Sequence, residues 1–148
     1  MTPPSPHDAG ALLDAHLALI GTDIERWLAL FAEDAVVEFP YARSLGVPER
    51  LEGIAAIRGY FAQTPKHFLG LAFTNVRRYL TTDPELAIAE VHGTATIATT
   101  GKPYAQDYVF FVKTRQGRIS LYREYWDPLP GLEAFGGPQN LRRMVDAS

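Results

Sequence analysis

From Phe68 onward the chain is almost continuous strand-forming sequence, and this constrains its fold more than any other feature. LAFTNVRRYL, ELAIAEVHGTATIATT, YAQDYVFFVKTR and RISLYREYWD are runs of β-branched and aromatic residues. Asp83-Pro84, Gly101-Lys102 and Gln116-Gly117 separate them, and these are turn-forming pairs. Long strands joined by short turns pair as antiparallel neighbours, so one sheet must dominate the molecule.

The first half supplies what that sheet packs against. After Asp8, a suitable N-cap, Leu12, Leu13, His16, Leu17 and Ile20 recur at helical spacing. Gly21-Thr22 interrupts, and Asp23 can cap a second helix carrying Ile24, Trp27, Leu28, Leu30 and Phe31. AVVEFP reads as a short strand, and YARSLGVPERLEG as a loop with two polar arms, Tyr41 and Arg43. A third helix is expected from Ile54 to Gln63, stopped by Thr64-Pro65. Residues 1–6, rich in Pro and Ser, are expected to be a disordered lead-in, and the tail after Asp127 is punctuated by Gly and Pro. With 148 residues, 47% of them hydrophobic, the expectation is a single domain over 1–148. Its class is α+β, a curved mixed or antiparallel sheet wrapped around three N-terminal helices.

Charge and composition narrow the function. A net charge of -3 with dispersed Lys and Arg gives no basic field, so neither nucleic acid nor an anionic membrane is an expected partner. The absence of cysteine excludes thiolate chemistry and disulfides. It fits a cytoplasmic location, as does an N-terminus without a signal-peptide pattern. No glycine-rich phosphate loop or metal-ligand spacing occurs, so the chemistry is expected to need no cofactor and no metal.

The order of LFAEDAVVEFP, LEGIAAIRGYF and a long-stranded sheet ending in GRISLYREYWDPL resembles the SnoaL-like and ketosteroid-isomerase-like proteins of the nuclear transport factor 2 superfamily. The resemblance implies a cone enclosing one apolar pocket, commonly in a homodimer formed through the sheet. It does not fix a reaction, because such folds host many chemistries. The isomerases' base position falls on Phe39, their oxyanion tyrosine on His16 or Ala15, and their second acid on Val109, so true steroid isomerisation is not expected. The phenazine-biosynthesis A/B proteins are more similar in the last strand. Their acid/base glutamate falls on Glu124 within REYWDPL, their helix histidine on Tyr60, and Thr64 lies near their serine.

Strand arithmetic adds partners for Glu124. If Gln116-Gly117 is a two-residue turn, Arg115 faces Arg118, Val109 faces Glu124 and Asp107 faces Trp126. One face then carries Asp107, Val109, Phe111, Tyr122, Glu124 and Trp126, and the next hairpin adds His92. The resemblance makes that face the pocket wall. The opposite face, with Tyr104, Gln106, Tyr108, Phe110, Leu121, Arg123 and Tyr125, would point outward and be covered by a second copy. A one-residue bulge would move one set to the other face.

The resulting expectation is an acid/base isomerase, cyclase or dehydratase for a small cyclic or polyketide-like metabolite. Glu124 and His92 would move protons and Asp107 would tune them. Tyr41, Arg43, Phe39, Tyr60, Val109, Phe111, Tyr122, Trp126 and His16 are the expected substrate contacts. His67, after Pro65-Lys66, reads as a surface loop residue, with the pocket mouth as the lesser alternative. A binding protein with the same pocket is the rival reading, and an epoxide hydrolase a more distant one.

Overall fold

The computed structural model describes residues 8–146; the expected lead-in at 1–6 lies outside them. Helices α1 (Ala9–Leu19) and α2 (Ile24–Leu28) open the chain, and Asp8 and Asp23 each cap a helix by accepting a backbone N–H. The second helix stops at Leu28, short of the expected Phe31, which instead begins β1 (Phe31–Glu38). The following loop holds a 3-10 turn, Ala42–Leu45, and a short strand, β2 (Arg50–Glu52). Then come α3 (Ile54–Phe61), α4 (Thr64–His67), and strands β3 (Phe68–Leu80), β4 (Leu86–Ile97), β5 (Pro103–Arg115) and β6 (Arg118–Trp126). Two helices occupy the tail that sequence left irregular, α5 (Pro128–Phe135) and α6 (Pro138–Asp146).

These strands form one six-stranded sheet in the order β2-β1-β6-β5-β4-β3, mixed because β1 runs parallel to β6. The three long hairpins are antiparallel as expected, with Gln116 and Gly117 both at positive φ (52° and 76°), the requirement of a type I′ turn. Helix α1 packs across β4, β5 and β6, and its Leu12, Leu13 and His16 sink into the core with Trp27, Phe110 and Tyr122. The fold is the α+β architecture of a curved sheet around helices.

Curvature comes from irregularities in the ladders. In β3 the register slips near Gly70 and again near Asn75, both at positive φ, and each inserted residue bends the strand. A third slip sits in β6. Thr114 faces Ile119 but Lys113 faces Leu121, leaving Ser120 as the extra residue, and its hydroxyl donates to the Lys113 carbonyl at 3.2 Å. Beyond this bulge Phe110, not Val109, faces Glu124, and Tyr108, not Asp107, faces Trp126. Because side chains alternate with period two, one inserted residue exchanges faces for everything beyond it. Tyr104, Gln106, Tyr108, Phe110 and Val112 therefore share the helix-covered face with Tyr122, Glu124 and Trp126. Asp107, Val109 and Phe111 lie on the opposite, convex face with Leu121, Arg123 and Tyr125, contrary to the expected assignment.

Candidate active site

The concave side of the sheet and the helices enclose a cavity of about 120 Å³. Its wall is aromatic, with Tyr60 of α3, Phe68 and Phe73 of β3, Tyr104 and Tyr108 of β5 and Trp126 of β6. Tail residues Phe135, Leu141 and Val145 close one side. The tail is anchored by a 2.6 Å hydrogen bond from the Thr100 hydroxyl to the Ala134 carbonyl and by Arg142, whose Nε donates to Leu45 O at 2.9 Å. Gly93 makes room for this wall: a Cβ there would sit 2.9 Å from the Tyr108 ring, so an ordinary side chain would push that ring into the cavity.

Two acids line this surface, Asp127, whose carboxylate caps α5, and Glu124. Glu124 is half-buried, the area it exposes opening onto the cavity, and its Oε1 accepts a 2.8 Å hydrogen bond from the Tyr122 hydroxyl two residues earlier on the same face. Burial away from water pushes its pKa up to about 7, against the opposing pull of hydrogen bonds from Tyr122 and Trp126, which favour the carboxylate. The desolvation cost wins because two neutral donors only partly replace a hydration shell. A carboxyl with this pKa carries its proton about half of the time at neutral pH, so it can both take and return one.

The remaining polar groups are hydroxyls, the Gln106 amide and one imidazole. Tyr104 and Tyr108 share a hydrogen bond between their hydroxyls at 2.8 Å, and burial pushes Tyr104 up to about 12 and Tyr108 well above the usual phenol. Burial and the nearby Glu124 charge raise Tyr60 as well, so these phenols stay protonated and serve as donors. Gln106 fixes the ends of two strands. Its Nε2 donates to Asp127 O at 2.6 Å, while its Oε1 accepts from the backbone N–H groups of Asp107 and Asp127 at 3.0 and 3.1 Å. His67 also lines the cavity, rather than the surface position read from sequence. Its Nε2 is shielded from solvent and finds no hydrogen-bond partner among the described residues. The missed signal was Thr64-Pro65, read as a stop although it opens α4 and turns the next residues inward.

The other expected residues have different settings. His92 and Asp107 are paired across β4 and β5, with Nδ1 and Oδ1 2.8 Å apart, but they sit on the convex face and do not meet Glu124. Val109 and Phe111 share that face, where Phe111 packs 5.8 Å from Tyr125 and beneath the Arg123 guanidinium. The Ser120 bulge accounts for all four. Tyr41 is 52% exposed and leans on Tyr125, and the Arg43 side chain points to water and pairs with Glu49 at 2.9 Å. Both side chains point outward from a loop whose Leu45 and Val47 turn inward to line the cavity. Phe39 and Tyr122 stand immediately behind the lining, Phe39 stacked on Tyr60 at 5.1 Å. His16 is deeper still. Its Nδ1 accepts from the Trp27 indole at 2.8 Å, which leaves the proton on Nε2, and burial lowers its pKa to about 3, so it is a neutral packing group. Among the described residues no group of three or more His, Asp or Glu is placed to hold a metal ion.

Comparison with known proteins places this geometry. The SnoaL-like domain model matches residues 12–122. An uncharacterised PhzA/B-like protein of Pseudomonas aeruginosa is 41% identical over 126 residues, covering 85% of this chain and 88% of its own. A crystal structure of a candidate isomerase from Bacillus subtilis superposes with a TM-score of 0.81 at 42% identity, covering 87% of this chain and 93% of the other. A phenazine biosynthesis-related protein of P. aeruginosa superposes with a TM-score of 0.74 at 19% identity, over 95% and 82% of the two chains, a likeness of fold.

Proposed function

The chain belongs to the SnoaL-like domain family, and from its cavity we propose an acid/base enzyme, an isomerase, cyclase or dehydratase, acting on a small cyclic metabolite. The carrying observation is Glu124, a carboxyl held in an apolar cavity with its pKa raised to about 7 and its orientation fixed by Tyr122. Enolisation, dehydration and condensing cyclisation all need a group that removes a proton from carbon and delivers it elsewhere. Glu124 provides both halves without a cofactor. The buried phenols of Tyr60, Tyr104 and Tyr108 are neutral donors able to stabilise the oxyanion that such a step develops. Part of the proposal is a homodimer through the convex face, whose half-buried Val109, Phe111 and Tyr125 a second copy would cover.

The aromatic lining also favours a second reading, a binding protein whose Glu124 only orients its ligand. Epoxide hydrolysis fits less well, since the lining has Glu124 and Asp127 but no arginine among the described residues. Proton exchange separates catalysis from binding. In deuterated buffer near pH 7, the protein should accelerate loss of the α-protons of 2-tetralone, followed by proton NMR. Glu124→Gln should reduce that acceleration by roughly 10²- to 10³-fold. Tight binding of the ketone with equal exchange by both proteins would favour the binding reading.

A further inference from the structure

His67 sits at the end of the cavity remote from Glu124. It closes α4 and precedes β3, the edge strand, whereas Glu124 lies on β6. With β5 and β4 between them, the two positions are three strands apart, and they are also offset along the strands: the Glu124 row crosses β4 at Ala89, whereas His67 bonds to Ala98 just past its end. Both side chains line the same cavity. Phe68, Phe73, Tyr104, Tyr108 and Trp126 fill the lining between them, a surface that suits flat rings.

The backbone of His67 is fixed at both polar groups. Its N–H donates to Gln63 O at 3.0 Å and its carbonyl accepts from Ala98 N–H at 3.0 Å. The ring is thus presented from a rigid point. A buried imidazole nitrogen with no partner is a standing cost to the fold, one that a bound polar atom would relieve. Burial also lowers the His67 pKa, so at neutral pH the imidazole is uncharged and can accept or donate.

We propose that His67 is the ligand contact at this second end, its Nε2 bonded to a polar atom of a flat molecule of two linked or fused rings whose other end meets Glu124. This rests on the reading of the cavity as a ligand site and narrows the class of molecule it takes. A single ring would reach one polar end only, and an aliphatic chain would forgo the aromatic wall between them.

The test uses naphthalene, 2-naphthol and 2,6-dihydroxynaphthalene as probes of the full-length, 15N-histidine-labelled protein. The dihydroxy compound should move the His67 Nε2 resonance and bind roughly tenfold more tightly than 2-naphthol. His67→Leu should abolish that advantage without weakening naphthalene, and His67→Gln, which keeps a hydrogen-bonding group, should retain part of it. Thermal melts of both variants check that they are folded. An undiminished advantage in His67→Leu, or an unmoved Nε2 resonance in the bound wild type, would overturn the role of His67 and leave the cavity a ligand site. Failure of all three probes to bind would overturn both readings.

Discussion

The two faces of the sheet carry similar residue types in opposite settings. On the convex side His92 and Asp107 form a 2.8 Å pair with the Asp107 side chain 90% exposed, and water screens whatever attraction they have. On the concave side Glu124 faces aromatic rings, and desolvation moves its pKa to about 7. An acid beside a histidine is the more familiar signature of proton transfer, yet the acid whose proton affinity is raised is the one facing the cavity. Environment, rather than the identity of the nearest neighbour, sets the chemistry here.

Ser120 decides which residues receive which setting, so its deletion is the most severe way to break the contrast. Without the bulge, Ile119 and Tyr122, both now fully buried, could not face the core together. Deletion should abolish cooperative folding, read by the loss of a thermal transition and of dispersed amide resonances. A folded, stable deletion variant would show that the bulge does not hold the register.

The pH dependence of stability comes next in size. The folded state holds the Glu124 proton more tightly than the unfolded chain, whose pKa is near 4.5, so raising the pH favours unfolding. This group's stabilising effect is complete below pH 4.5, declines between pH 4.5 and about 7, and above that is lower by on the order of 3 kcal/mol. Glu124→Gln removes the carboxyl's titration, so urea denaturation of the variant at pH 5 and pH 8 should lack this decline. Parallel pH profiles for the two proteins would contradict the burial argument.

Tyr122→Phe sharpens the comparison on the concave face alone. Loss of the 2.8 Å hydrogen bond withdraws a donor that favours the carboxylate, and the Glu124 midpoint should rise further above 7. The folded state should also lose about 1 kcal/mol. A midpoint that stays or falls, followed by carbon-13 NMR, would show that Tyr122 does not stabilise the charge. The smallest effect belongs to the convex face. Asp107→Asn should leave 2-tetralone exchange within about twofold of wild type. A large loss there would return the site to the His92–Asp107 pair.

Much of this arrangement was legible because local rules agreed with it. The strand runs, the Gly101 and Gln116-Gly117 turns and the Asp8 and Asp23 caps each state their structure in a few residues. Glu124, Trp126 and Tyr60 were placed at the cavity by resemblance, and they line it. The bulge was less visible, since serine at 120 carries no strong preference. Its trace was the odd spacing between Ile119 and Tyr122, whereas β5 alternates strictly from Tyr104 to Thr114. The tail helices carried signals that were passed over. Asp127 caps α5 by accepting from Leu129 N–H, Pro128 stands at its start, and Gly136 ends it at a φ of 83°. His67 could not be placed from the sequence because its direction depends on a four-residue helix that tertiary packing maintains.

The most direct measurement is a pH titration of the Glu124 side-chain carboxyl by carbon-13 NMR in the ligand-free protein, assigned by comparison with Glu124→Gln. A midpoint near 7 is predicted by its position in the apolar cavity. A midpoint between about 4 and 5, the range of a solvated glutamate, would contradict the account and leave the acid/base proposal without its carrier.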